Sequence, residues 1–363
     1  MSALFIVMAL VLYRAGLTPV DANVNFFLQG ALFLDDVLIY IAALEILKIA
    51  LSQRKILAEL HYRPDFFSYH QTRLLALVSA FPFGLGVSSF LKGLSRDGID
   101  TKPISEGMTA SMLIYPTTLA SGFVFDSFQL TSLAATFLFG LPLVFLLFLS
   151  FPKKTLLSLL KSNLFRVTAA LGVLNYFYLV ILSHFIPHNY MLKQAAFFVL
   201  LSLVINIRVV PQIPQVLWKA RNNFIFFVCV GMLGHAFIGW MSYSEIIPDH
   251  AWLNSYIAIA IPIFIIPLMS ILFIHPLVLF LIFNPLITPY LQVIGVNELS
   301  LYSIWVVMLI NAQLLSPVSL TTVLSVSNSN SNIFTESFLK HGAYSLKVSV
   351  LAYLYYMFVF QWG

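Results

Sequence analysis

Long apolar runs separated by short basic loops are the feature that most limits what this chain can fold into. Runs of about 20 apolar residues recur, which is the length that an α-helix needs to cross the hydrocarbon layer of a bilayer. Of the 363 residues, 60% are hydrophobic and only 9% are charged, whereas a soluble domain carries about 25% charged residues. The sequence therefore predicts an all-α polytopic membrane protein, with residues 1–363 as one integral-membrane domain of about 10–12 membrane segments.

The charges predict an orientation and exclude several classes of function. Basic residues collect in loops 52–73, 152–166 and 208–222, which we expect to face the cytoplasm, in a multi-pass protein of the cytoplasmic membrane. The net charge of +5 lies in these loops and does not indicate nucleic-acid binding. Cys229 is the only cysteine, so neither an intramolecular disulfide nor a cysteine metal cluster is expected. P-loop, zinc-protease and serine-hydrolase motifs are absent, so no enzyme, metal or cofactor is predicted.

The apolar stretch 74–91 is centred on Phe81–Gly86, a poor sequence for a continuous helix because it contains Pro82, Gly84 and Gly86. Three apolar stretches separate the first two basic loops, and three full crossings would place those loops on opposite sides of the membrane. We therefore predict a re-entrant hairpin that turns at 82–86 and returns to the side from which it came.

The two ends of the chain repeat one pattern. Pro82 is followed by the segment Tyr115–Ser121, and Pro285 is followed at nearly the same spacing by Ser316–Thr322. Both later segments match Pro-x-[Ser/Thr]-Leu-x-[Ser/Thr]. Interrupted segments at matching positions of two halves indicate a transporter site. We therefore divide the chain into a first half, 1–151, a connecting segment, 152–191, and a second half, 192–363.

This arrangement resembles the ion transporter superfamily, which includes divalent-anion/sodium symporters and the large membrane subunit of TRAP transporters. The resemblance implies two inverted repeats, each with a re-entrant hairpin followed by a broken helix. The hairpin tips would be Phe81–Gly86 and Asn284–Pro289, and the breaks would be Tyr115–Ser121 and Ser316–Thr322. Four predicted spans between 152 and 275 would instead make the halves parallel, and among them 252–273 has the weakest signal.

Hydroxyls, amides and helix-breaking residues at the tips and breaks are the predicted binding residues for substrate and coupling ion. They are Pro82, Gly84, Gly86, Thr117, Thr118, Ser121, Asn284, Thr288, Gln313, Ser316, Ser319, Thr321 and Thr322. The prolines at 116 and 317 should free carbonyl oxygens, which suit Na⁺ better than a proton. Asp35 and Asp36 are the candidates for proton coupling, because acids within a span are costly and often functional.

Each of these signals also has a structural interpretation. The Asp pair could lie near one membrane surface, and Glu45 could pair with Lys48 on its own helix. His275 could cap a helix that starts at Pro276, and Asn311 could join helices rather than bind a solute. The run 327–332, rich in Ser and Asn, is predicted to be a loop.

The sequence therefore predicts an ion-coupled secondary transporter, or permease, of a small anionic solute, with Na⁺ or H⁺ as the coupling ion. Its partners are that solute and membrane lipid, and a homodimer is compatible with the plan. Two alternatives stay open. One is a flippase or exporter of a lipid-linked or amphipathic molecule, which would need a lateral, aromatic-lined groove. The other is a non-transporting membrane subunit or a membrane-embedded enzyme.

Overall fold

A computed structural model describes residues 32, 34–53, 68–87, 91, 100–116, 118–149, 153–186, 189–244, 255–319 and 332–362. Throughout these residues the regular structure is helical. The predicted site residues Thr117, Thr321 and Thr322, and most of the loop 327–332, lie outside the described residues.

The helices are numbered here in chain order. They are α1 Asp35–Gln53, α2 Tyr69–Phe83, α3 Thr101–Ser111, α4 Leu119–Ser127, α5 Leu133–Leu147, α6 Lys153–Leu160, α7 Asn163–Phe185, α8 Tyr190–Ile205, α9 Ile213–Ser244, α10 Ser255–Ala260, α11 Ile266–Met269, α12 Pro276–Val293, α13 Glu298–Leu315 and α14 Lys340–Trp362. A π-helical turn, Ile261–Ile265, joins α10 to α11, and a 3-10 turn, Ser270–Leu272, follows α11; together these four pieces form the α10–α11 arm.

Four stretches are long and apolar enough to cross a membrane. They are Asn163–Phe185, Ile207–Phe237, Pro276–Val293 and Glu298–Leu315. These stretches confirm the helical membrane class.

Helices α2 and α3 run side by side in the same direction. The hydroxyl of Tyr69, at the start of α2, donates to the carboxylate of Glu106, at the middle of α3. Further along both segments, the ring of Phe81 near the end of α2 lies 5.0 Å from the ring of Tyr115, just after α3. Because both helices start at one end of the bundle, the chain must return between them to the end from which α2 began. Gly107 permits this contact, since a Cβ atom there would lie 2.0 Å from a backbone oxygen of α2.

The first turn lies at the middle of the neighbouring helices. Helix α2 ends at Phe83, and Gly84 follows it with a φ of +50°, which favours glycine. The amide of Asn175, at the middle of α7, donates to the carbonyl of Phe81 at 2.7 Å. A Cβ atom at Gly86 would contact Leu44 at 3.6 Å, at the middle of α1. Helix α2 therefore stops just after Pro82, halfway along two longer helices, and the re-entrant hairpin itself stays a prediction.

A second turn follows the α10–α11 arm. Phe273 has a φ of +63°, and His275 begins α12 by accepting a hydrogen bond from the backbone N–H of Leu277 at 3.2 Å. This confirms the cap predicted at His275. The ring of His275 packs against Phe226 and Phe227 at 5.1 and 5.6 Å, near the middle of α9.

The turn at 273–275 shows that the position predicted for the second hairpin tip is wrong. The segment Asn284–Pro289 lies within the continuous helix α12 and forms no turn. Prolines are tolerated in membrane helices because neighbouring groups satisfy the freed backbone. The chain turns instead at 273–275 and again at Gly295, which has a φ of +89°. The segment 252–273 was predicted as a span. The part of it that the structure describes forms the arm that leads into this second turn.

Helix α13 runs parallel to the α10–α11 arm and antiparallel to α3. Asn311 donates to the carbonyl of Ile263, and the later residue Ser316 donates to the later carbonyl of Ile274. The α13 helix and the arm therefore run in the same direction. The hydroxyl of Tyr302, at the start of α13, donates to a carbonyl just after the end of α3. The arms that precede the two turns therefore point in opposite directions.

Candidate functional site

The first turn meets an interruption of the helical backbone, as predicted. Helix α3 ends at Ser111, and α4 begins after Thr118. Pro116 has no N–H to give to the carbonyl of Met112 one turn earlier. The hydroxyl of Tyr302 reaches that carbonyl at 3.4 Å.

Thr118 and Ser121 hold the start of α4. Their hydroxyls bond reciprocally to each other's backbone N–H, at 3.4 Å from Ser121 and 3.2 Å from Thr118. This capping box satisfies donors that a helix N-terminus leaves free. Both side chains are buried and have a structural task within their own turn.

The second turn meets the end of α13. The hydroxyl of Ser316 donates to the carbonyl of Ile274 at 3.4 Å and accepts from the N–H of Val318 at 3.3 Å. Ser319 follows and is buried, and the chain beyond it lies outside the described residues. Each turn is thus in contact with a later helix end: the first turn with the chain just after α3, and the second with the end of α13.

The two helix ends lie at opposite ends of α13. Met112 accepts a hydrogen bond from Tyr302, which lies near the start of α13, and Ser316 caps the end of α13. These 14 residues span about 21 Å at the rise of an α-helix. The joining of the two breaks in one cavity therefore stays a prediction.

Asn284 and Thr288 join α12 to α13. The hydroxyl of Thr288 donates to the amide oxygen of Asn284 at 2.7 Å and accepts from the indole N–H of Trp305 at 2.8 Å. Gln313 lies half-buried near the end of α13. The geometry gives the first two residues a packing role.

Asn311 joins three helical elements, which favours its structural interpretation. Pro267 leaves the carbonyl of Ile263 without its usual helical donor. The amide of Asn311 and the hydroxyl of Ser349 approach that carbonyl at 3.5 and 3.2 Å. Ser345 donates to the amide oxygen of Asn311 at 2.9 Å.

Asp35 and Asp36 occupy the first turn of α1. Asp35 is exposed, and its carboxylate accepts a hydrogen bond from the N–H of Asp36 at 2.8 Å. Acids in a first turn are favourable with the helix dipole. Glu45 pairs with Lys48 at 2.6 Å, as its structural interpretation predicted.

A buried arginine escaped the sequence analysis, which placed it in a basic loop. Arg73 lies on α2, 3.5 Å from the carboxylate of Glu106, with its guanidinium over the rings of Phe148 and Tyr344. Its side chain is 6% exposed. The apolar run that begins directly after position 73 was the available signal, because it places Arg73 at the edge of a helical segment rather than within a loop.

An aromatic groove of about 460 Å³ opens between α2, α5 and α7. Phe81, Tyr115, Phe137 and Tyr176 contribute aromatic rings to its lining. Its outer rim carries Leu138, and this side chain is exposed in the structure, where lipid would contact it. The groove therefore opens sideways from the helical bundle.

Buried polar atoms with few or no partners lie around the first turn. The hydroxyl of Ser79, the amide oxygen of Asn175 and the amide nitrogen of Gln194 have none. The hydroxyls of Tyr115 and Tyr190 interact only with each other. Sequence reasoning did not select Asn175, although it is an amide in the middle of the predicted span 164–184, where polar residues are often functional.

The described part of the chain contains no group of three or more His, Cys, Asp or Glu residues that could hold a metal ion. Comparisons with models of protein families, with curated proteins and with solved structures found no match for this chain.

Proposed function

We propose that this protein is an ion-coupled secondary transporter built from two inverted halves. The observation that carries the proposal is that each half has a helical arm that turns beside the middle of a long helix. Each turn contacts the end of a later helix: Phe81 meets Tyr115 just after α3, and Ile274 meets Ser316 at the end of α13. Helical elements that end at membrane depth are tolerated where they are buried in protein or line a cavity.

The directions of the helices support inversion. Helix α2 is parallel to α3, the α10–α11 arm is parallel to α13, and α3 is antiparallel to α13. In this proposal α7, α8 and α9 cross the membrane between the two halves. Three crossings place the second arm on the side opposite to the first, which removes the parity conflict. Both turns are then re-entrant tips, and 273–275 replaces Asn284–Pro289 as the second.

Such a plan provides the groups that solute and ion binding need. Interrupted helices offer backbone N–H groups to anions and carbonyl oxygens to cations at membrane depth. The resemblance to the ion transporter superfamily implies an anionic solute and favours Na⁺. Alternating access would move one half against the other around the tips.

A flippase or exporter of an amphipathic molecule is the second candidate. The observation that favours it is the lateral groove, whose lining includes Phe81, Tyr115, Phe137 and Tyr176. This is the feature that the alternative required. The two candidates differ in whether the substrate enters from water or from the lipid layer.

Reconstitution of the purified full-length chain in liposomes tests the proposal. Uptake of radiolabelled dicarboxylates, sulfate and phosphate is measured with an imposed Na⁺ gradient or pH gradient, and protein-free liposomes are the control. We expect gradient-dependent uptake of at least one solute. Absence of such uptake, together with rapid exchange of a fluorescent lipid between leaflets, would replace the transporter with the flippase.

A further inference from the structure

We propose that the aromatic groove and the polar atoms behind it form one binding site for an amphipathic molecule with an uncharged, hydrogen-bonding head group. The apolar part of the ligand would lie in the groove, and its head group would reach Tyr115, Asn175, Tyr190 and Gln194. The inference goes beyond the proposed function, whose solute is a small anion, and it does not rest on that function; it would name the substrate class of the second candidate, the flippase or exporter.

The groove suits an apolar chain. Its volume of about 460 Å³ falls within the range of about 300–1,000 Å³ that small-molecule sites occupy. None of the described residues that line it is charged. Gly172 leaves room in the groove between α7 and α2, because even a Cβ atom at this position would lie 3.2 Å from the Cβ of Phe81.

Tyr115 connects the groove to the polar atoms. Its ring lines the groove, yet the residue is only 1% exposed and its hydroxyl interacts only with the hydroxyl of Tyr190. The two rings meet edge to face at 6.4 Å. A ligand hydroxyl at this point could bond to both hydroxyls, each of which can donate and accept.

Asn175 and Gln194 supply the complementary groups. The amide nitrogen of Asn175 donates to the carbonyl of Phe81 and to the amide oxygen of Gln194, at 2.7 and 3.2 Å. This leaves the oxygen of Asn175 as a free acceptor and the nitrogen of Gln194 as a free donor, in two side chains that are 0% exposed. A buried polar group without a partner costs about 1–3 kcal/mol, which a bound ligand would recover.

The charges of the site decide which head group fits. The polar atoms of the site belong to hydroxyl and amide groups, which can serve a neutral head group with both donors and acceptors. The nearby ions already have partners: Asp126 accepts from the N–H groups of Tyr190 and Met191 at 2.7 and 2.9 Å, and Lys193 donates to Ser183 at 2.9 Å. A charged head group would be buried without a counter-ion, which is costly.

Photo-crosslinking of the full chain in phosphatidylcholine nanodiscs tests this site. The probe is a monoacylglycerol with a diazirine in its acyl chain. The fatty acid and the alkyltrimethylammonium of the same chain serve as charged counterparts. We expect the neutral probe to label α2 and α7 at least several-fold more strongly than either charged probe, and unlabelled monoacylglycerol to compete.

Two variants and a matched control sharpen the test. Tyr115→Phe removes a hydroxyl that interacts only with that of Tyr190, and it should weaken binding of the probe about three- to tenfold. Gly172→Leu should fill the groove and abolish labelling. Tyr356→Phe is the control, because its buried hydroxyl is bonded to Ser303 at 2.6 Å, so it should reduce stability and leave labelling unchanged.

Equal labelling by charged and neutral probes, or an unchanged affinity in Tyr115→Phe, would overturn the site. Binding is measured without a gradient, so it is independent of transport. Selective labelling without any gradient-dependent uptake would support the site and reject the transporter. Uptake of a small anion without selective labelling would support the transporter and reject the site.

Discussion

The side-chain amide of Asn175 donates a 2.7 Å hydrogen bond to the carbonyl of Phe81 and thereby holds the end of α2 against the middle of α7. The last carbonyls of a helix have no partner within that helix. In a bilayer no water is available to replace the missing donor. A single amide therefore makes it possible for α2 to end at this depth.

Removal of this amide should destabilise the protein. Asn175→Leu leaves the carbonyl of Phe81 without its donor, and we expect the free energy of unfolding in detergent to fall by about 1–3 kcal/mol. Thr168→Ala is the control on the same helix, because the hydroxyl of Thr168 bonds only to carbonyls of its own helix. An equal loss in both variants would contradict the assigned role of Asn175.

The return of the chain between α2 and α3 can be tested by cysteine labelling. In a Cys229→Ser background, single cysteines at Ser68 and Asp100, both exposed, should react with a membrane-impermeant maleimide from the same side. A cysteine at Gln129, which is exposed near the opposite end of the bundle, should react from the other side. Labelling of 68 and 100 from opposite sides would rule out a re-entrant first arm.

Close packing of α2 on α3 should make Gly107 intolerant of any side chain. A Cβ atom there would lie 2.0 Å from the carbonyl oxygen of Arg73, so Gly107→Ala must push the helices apart. We expect its thermal midpoint to fall by several degrees, which corresponds to about 1–3 kcal/mol. Gly342→Ala has nothing within 4 Å of the new atom and should be neutral or stabilising, which makes it the matched control. Similar midpoints for the two variants would contradict the packing.

The coupling ion can be assigned with variants at the breaks and at the start of α1. Sodium coupling predicts that Thr118→Ala and Ser319→Ala each weaken Na⁺-dependent uptake. Because Thr118 caps α4, its replacement by alanine should also cost about 1 kcal/mol of stability. Thr118→Ser keeps the cap and should restore both properties. Uptake that does not depend on Na⁺ but is lost in Asp35→Asn or Asp36→Asn would instead indicate proton coupling.

Local chemistry made several features of the site predictable. A proline and two glycines within an apolar stretch predicted the turn after Phe81, and Pro116 predicted the break before α4. The ion pair of Glu45 with Lys48 and the cap at His275 followed from spacing along one helix. All of these depend on residues within about one helical turn of each other, so the sequence displays them directly.

The same reasoning failed for the second turn. Pro285 and Pro289 signal a break locally, yet α12 continues through both, because Thr288 and Trp305 hold this part of α12 against α13. The turn lies at Phe273, where no glycine marks the left-handed backbone. Tertiary packing overrode the local preference at both places.

The sequence by itself determined that the chain is an all-helical membrane protein with interrupted segments, because apolar run length and backbone-breaking residues are local properties. Only the tertiary structure decided which carbonyls Asn175 and Asn311 reach, and that Tyr115, Tyr190 and Gln194 bring buried polar atoms together behind an apolar groove. Such contacts join residues up to 94 positions apart, as in Asn175 with Phe81. Their partners depend on how the helices pack, and no periodicity along the chain encodes that packing.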